Sequence, residues 1–207
     1  MTDFPIILRE GEVHGEVYGI TGAFVGYVND LIRGGVQTKD LPGAFLDLYA
    51  LDFYYWQVCN GGHSQFVGNA GARLQADLDH AIRGAALIGM PDLAQLMEDC
   101  RDWCDANLDE RDRQDGSANR ASALDVLDDR FFSQELMDHE EAGFAAFVAS
   151  QPTLVRAWLE EATRHSRFRS RNRYCLASGA WLRAYPCIRI LPRDEVSAAV
   201  AAIVTAH

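Results

Sequence analysis

Several marks that reveal a protein's chemistry are missing from this chain. Its longest plausible membrane stretch, Val17 to Val28, is uncharged but has only twelve residues; a span needs about 20, so none is expected. The N-terminal MTDFPIILREGEVHGE carries acids early and has no charged-then-apolar-then-cleavage pattern, so no signal peptide is expected. The five cysteines, Cys59, Cys100, Cys104, Cys175 and Cys187, are odd in number and not densely spaced, which argues against a disulfide framework. These points favour a reducing cytoplasm. There is no C-x-x-C and no H-E-x-x-H, since Gly143 stands where the second histidine would be needed after His139-Glu140. Gly15, Gly19, Gly22 and Gly26 recur, but without G-x-G-x-x-G. They read as a helix face that admits a close neighbour. No internal repeat and no long alternating strand pattern stands out.

What is present suits a helical globule. With 207 residues, 48% hydrophobic and 10% aromatic, the chain can bury a real core as one ordinary domain. Apolar spacing predicts helices over 16–33, from Asp40-Leu41-Pro42 to Asn60, over 74–88, from Pro91, near 122–132, from an Asp138-x-x-Glu141 capping box, and from Pro152. The last two should turn Phe144, Phe147 and Val148, then Leu154, Val155, Trp158 and Leu159, inward. The fold class is all-α: an acidic helical domain over 1–163, then an arginine-rich extension over 164–207 packed on it. That extension holds eight arginines and no acid over 164–193; Tyr174 to Leu191 reads as either irregular or a short hairpin, and Val196 to Thr205 as a small final helix. Arg164, Arg167, Arg169, Arg171 and Arg173 could fork onto body carboxylates, helped by Phe168, Tyr174 and Trp181.

In YYWQVCNGGHSQFVGN, residues 54–69, a greasy helix stops at Asn60-Gly61-Gly62 and apolar spacing then resumes. Glycines give the chain freedom to turn, and Asn60 and Gln65 can satisfy the bared backbone groups, so a joint between helices is expected. Cys59 beside His63 hints at a thiol and a base, but no orienting carboxylate lies nearby in sequence. Cys100 and Cys104 lie one helical turn apart. With His63 or His80 they could hold zinc, yet they share the face of Leu93, Leu96 and Met97, which favours core packing and no metal.

The stretch resembles a bacterial all-helical family whose named type is the DNA-mimic protein, an acidic domain that occupies the DNA-binding surface of a transcription factor. Asn60, Gly61, Gly62, Gln65, Phe66 and Asn69 match its motif. ALIGMPDLAQLM and FAAFVASQPTLV resemble its later helices, so the likeness covers about 41–157.

The net charge of −11 makes direct nucleic-acid binding unfavourable and a basic protein the natural partner. Residues 98–115 carry eight acids against three arginines. Among them Glu98, Asp102, Asp105 and Asp109 step by four, three and four along one helix face, if the helix runs that far. Neighbours on such a face lie about 5–6 Å apart, a grain comparable to strand phosphates rising about 3.4 Å each. A second cluster, 125–141, has seven acids against Arg130. The candidate partner-binding residues are Glu98, Asp99, Asp102, Asp105, Asp109, Glu110, Asp112, Asp128 and Asp129. A plain solvated face is the alternative. The expectation is a non-enzymatic protein without cofactor, no membrane contact, a basic partner such as a DNA-binding protein, and room for a homodimer. The rivals are an immunity-type protein neutralising a toxin and a Cys/His metal protein or enzyme.

Overall fold

The computed structural model describes residues 4–13, 17–165 and 171–207. The elements run β1 (Ile6–Arg9), α1 (Glu10–Val13), α2 (Gly19–Arg33), α3 (Gly43–Ala70), α4 (Leu74–Leu87), α5 (Pro91–Ala106), α6 (Leu108–Arg111), α7 (Ser122–Phe131), α8 (Gln134–Met137), α9 (Glu141–Ser150), α10 (Thr153–His165), α11 (Arg173–Ala184), β2 (Ile188–Leu191) and α12 (Arg193–Ala206). The fold is all-α, with one two-stranded exception. Two compact units divide it. One joins residues 1–45 to 138–207, and the other is continuous from Leu46 to Met137. The units divide at 45/46 and 137/138.

Strand pairing explains why the two ends of the chain share a unit. β1 and β2 run parallel, with Ile6 opposite Ile188 and Arg9 opposite Leu191. Residues 174–191 are neither irregular nor a hairpin. Residues 173–184 are the helix α11, and the strand that follows pairs with the other end of the chain. A parallel pair needs a long crossover, and here the crossover includes the whole second unit.

The core of the end-joining unit forms around Phe45, whose ring meets Phe4, Phe24 and Tyr185 at centroid distances of 5.6, 5.4 and 5.6 Å. Thr21 of α2 and Ser178 of α11 share a buried hydroxyl–hydroxyl bond of 2.8 Å. Of the repeated glycines, Gly19 fits the close-approach reading, since a Cβ there would sit 2.6 Å from the Glu12 carbonyl oxygen; Gly22 meets only the Tyr18 side chain, Gly26 faces open space, and Gly15 lies outside the described residues. Tyr174, Leu176 and Leu182 of the extension are buried in this unit, as are Val155, Trp158 and Leu159. Leu154, in the first turn of α10, is 73% exposed and does not turn inward with them. Phe144, Phe147 and Val148 are only half-buried, so α9 has no fully covered face. Asp138 does not cap it; Glu140 holds the cap position without a side-chain bond, and Asp138 bridges to Asn172. Phe168 and the side chains of Arg164, Arg167 and Arg169 lie outside the described residues.

The central unit packs Leu48, Leu51, Tyr54 and Val58 of α3, Leu78 and Ala85 of α4, and Leu93, Leu96 and Met97 of α5 into one core. Leu124 and Phe131 of α7 are fully buried there. Cys100 and Cys104 are both fully buried on the face they share with Leu93 and Met97, which is the packing role their spacing suggested. Gly84 lets α4 approach α3 closely, since a Cβ would collide with the Asp47 carbonyl oxygen.

The helix carrying the acid row is shorter than the row. α5 ends at Ala106. Asn107 (φ −130°, ψ 53°) breaks it, and Asp109 stands on the separate short turn α6. Glu98, Asp102 and Asp105 therefore share a helix, and Asp109 does not.

Candidate functional site: a clamped kink inside an acidic unit

The Asn-Gly-Gly joint is a kink with almost no loop. Helical hydrogen bonding resumes at once, but Gly61 (φ −158°, ψ 22°) and Gly62 (φ 74°, ψ −177°) leave helical geometry. Only glycine adopts the Gly62 conformation readily. Space imposes the same choice, because a Cβ on Gly62 would run into the Asp128 carboxylate.

A kink bares backbone groups in the middle of a helix, and two residues far along the chain satisfy them. The His63 backbone N–H and ring Nδ1 both lie against Asp128 Oδ1, at 2.7 and 2.6 Å. Arg120 donates through Nη2 to the other Asp128 oxygen at 2.7 Å and through Nη1 to the Gly61 carbonyl at 2.8 Å. Asp128 thus acts as a remote cap for the second half of α3, where a carboxylate also suits the helix dipole. Asn60 and Gln65 were expected to do this work. Asn60 is exposed and makes no side-chain hydrogen bond among the described residues. Gln65 instead donates to Gln57 Oε1 at 3.0 Å, and Asn69 donates to the same oxygen at 2.6 Å. Those two bonds tie one half of the kinked helix to the other. Phe66 is fully buried, its ring edge-on to Tyr54 at 4.9 Å.

Protonation follows from the geometry. Burial raises the Tyr54 hydroxyl well above its ordinary range, so it keeps its proton and donates to His63 Nε2 at 2.7 Å. Nε2 is then the acceptor, and Nδ1 carries the hydrogen that Asp128 receives. Burial pushes His63 below its usual value, although Asp128 pulls the other way. Burial would raise the Asp128 carboxyl. The His63 ring and backbone N–H groups, with Arg120, outweigh that and hold it below the ordinary carboxylate range. The result is a neutral histidine between a tyrosine and an ionised aspartate, with both side chains buried. The carboxylate missing beside His63 in sequence is therefore present in space. However, His63 is fully enclosed, and burial lifts the neighbouring Cys59 thiol to about 11, away from a reactive thiolate. The cluster serves to hold the kink.

The same network fixes the loop before α7. Buried Ser64 donates to the Asn119 carbonyl and accepts from the Gly116 N–H, both at 3.0 Å. Backbone N–H groups of Asn119 and Ser117 converge on the Asp115 carboxylate and lower it to about 2. Gln114 closes the loop through the Ala121 N–H at 3.1 Å.

The candidate acidic residues separate into three groups around this frame. Asp128 is 7% exposed and both its oxygens are engaged in the clamp. Glu98, Asp99 and Asp112 are tied to Arg101, Arg130 and Arg111. Asp102, Asp109, Glu110 and Asp129 are exposed and form no ion pair among the described residues; Asp105 is exposed and accepts only from Gln75 at 2.6 Å. The charge is unevenly divided. Leu46–Met137 holds 17 acidic and seven basic residues, a net of −10 out of −11 for the chain. The end-joining unit has 13 acidic and 12 basic residues, so its arginines are balanced by its own acids.

Among the described residues no three His, Cys, Asp or Glu side chains are grouped to hold a metal, and no helix is long and apolar enough to cross a membrane. No curated protein and no solved structure matches the chain. The family model described as DMP19-like protein matches residues 39–161, which take in the kink, its clamp and the acidic unit. The chain belongs to the DMP19-like, DNA-mimic family.

Proposed function

We propose that the acidic unit binds a basic protein and does so in place of DNA, covering the DNA-binding surface of a transcription factor. The observation that carries this is the concentration of −10 in Leu46–Met137, with Asp102, Asp105, Asp109, Glu110 and Asp129 exposed and unneutralised. Glu98, Asp99 and Asp112 add charge already shared with an arginine. An unpaired exposed carboxylate keeps its field for an incoming cation, and such fields steer encounter and weaken with salt. The clamp contributes indirectly. It spends Asp128 and Arg120 on the kink and sets the position of α7, which carries Asp129.

The role is non-enzymatic and cytoplasmic in this reading, with the kink cluster enclosed and no cofactor required. Affinity capture from the source cell tests it, using the native chain beside one with Asp102, Asp105, Asp109 and Asp129 changed to lysine. A DNA-binding protein retained by the first and lost by the second supports the reading. Retention of a toxin would favour an immunity role, and equal retention by both chains would remove the acidic surface from the account.

A further inference from the structure

Most exposed large apolar side chains of the central unit stand beside its unpaired acids. Leu108, 53% exposed, directly precedes Asp109 and Glu110. Val126 and Phe132 are 59% and 51% exposed, on and just beyond α7. At 100° per residue, Phe132, Asp125, Asp129 and Val126 fall in that order within one arc of about 120°. The opposite side of the helix, Leu124, Leu127 and Phe131, is buried. Along this arc Asp125 is paired with Arg120, while Asp129 forms no ion pair among the described residues. Single exposed apolar side chains are ordinary on a protein surface, but here two of them flank the unpaired Asp129 within one arc of a single helix.

We infer that this face of α7 is a docking surface for a basic protein segment that carries apolar side chains among its cations. It would seat a cationic amphipathic helix, with apolar groups against Val126 and Phe132 and a lysine or arginine on Asp129. Charge complementarity selects that occupant: an acidic or neutral segment would leave Asp129 facing no cation, and nucleic acid would be repelled by the unit's net −10. The inference rests on the proposed acidic-surface function, and it adds that affinity has an apolar, salt-resistant part centred on α7. Nucleic-acid mimicry by charge alone would lack that part.

Two synthetic helical peptides of equal positive charge and length test it, one alternating lysine with leucine on one face and the other with serine in place of leucine. Binding to the full chain is measured by fluorescence anisotropy at low and high salt. The leucine peptide should bind about tenfold more tightly than the serine peptide, as truncating two exposed apolar anchors would predict. The advantage should survive high salt and disappear in the Val126→Ser/Phe132→Ser chain. Asp129→Asn should weaken both peptides at low salt only. If both peptides bind alike to native and variant chains, the apolar inference falls while the acidic reading stands. If neither peptide binds the native chain at low salt, the acidic reading itself falls and takes the inference with it. Sedimentation velocity supplies the remaining arm. A native dimer that dissociates in the Val126→Ser/Phe132→Ser chain would show that a second copy covers this face and would overturn the inference. Val126 is exposed, while the Phe132 ring rests edge-on against Phe131 at 5.1 Å, so thermal unfolding of the variant is recorded beside its binding and Val126→Ser alone serves as the milder variant.

Discussion

Replacing Asp128 by alanine should be far more damaging than the same change one residue later. Asp128 Oδ1 receives two donors from His63, the backbone N–H and the ring Nδ1–H, and His63 is fully buried. Leaving a buried donor unmade costs about 1–3 kcal/mol, so these two together cost about 2–6 kcal/mol. Arg120 loses one contact, but it is part-exposed and keeps Asp125 and the Gly61 carbonyl, which limits its share to under about 1 kcal/mol. A loss near 4 kcal/mol is a large part of the roughly 5–15 kcal/mol that stabilises a typical domain. At about 2–4 °C per kcal/mol for a chain of this size, melting should fall by about 8–16 °C. Asp129→Ala, on the exposed side of the same helix, should stay within about 0.5 kcal/mol of native. Urea and thermal unfolding followed by circular dichroism measure both. A loss below about 1 kcal/mol for Asp128→Ala, or equal losses for the two variants, would refute the remote-cap account of the kink.

Three further outcomes follow from the same geometry. Gly62→Ala must enter a glycine-only backbone region and strike Asp128, so it should cost more than about 3 kcal/mol, whereas Gly26→Ala, in open space within α2, should stabilise by about 0.5–1 kcal/mol; unfolding midpoints compare them. His63 is held below its ordinary value of about 6.5, so its contribution is complete above that pH and is lost as the pH falls below it. The stability difference between the native chain and His63→Gln should therefore shrink from pH 8 to pH 5, and a difference that grows would contradict a neutral His63. Cys100→Ala with Cys104→Ala removes two buried thiols from a packed face and should cost on the order of 1–2 kcal/mol without releasing metal, as unfolding and metal analysis of the purified protein will record.

The helices were largely legible because their apolar residues repeat with the helical period and their ends carry local signals. Pro91 opens α5, and the Asn60-Gly61-Gly62 break marks the kink. What the sequence could not convey was long-range. Asp128 and Arg120 lie about sixty residues from the groups they satisfy, and in sequence Asp128 is one more acid in an acidic run. A faint signal exists in the helical period of α7, where Asp128 falls with Leu124, Leu127 and Phe131 on the buried side. The strand pair is hidden for the same reason, since four-residue strands at opposite ends of the chain carry no mutual signature. The four-three-four spacing of the acid row carries no sign of the break at Asn107, whose backbone ends the helix before Asp109. The division of charge depends on where the units divide, which composition alone does not reveal.

In the proposed role, a basic partner meets this chain with the surface it would otherwise give to DNA. The most direct test is a competition measurement on the partner recovered by affinity capture: labelled duplex DNA is bound to it, and the full-length chain is titrated in at several salt concentrations. The account predicts complete displacement of DNA without a ternary complex, with affinity for the chain weakening as salt rises and weakened further when Asp102, Asp105, Asp109 and Asp129 are reversed. Formation of a stable complex holding partner, DNA and this chain together, or displacement indifferent to both salt and charge reversal, would contradict it.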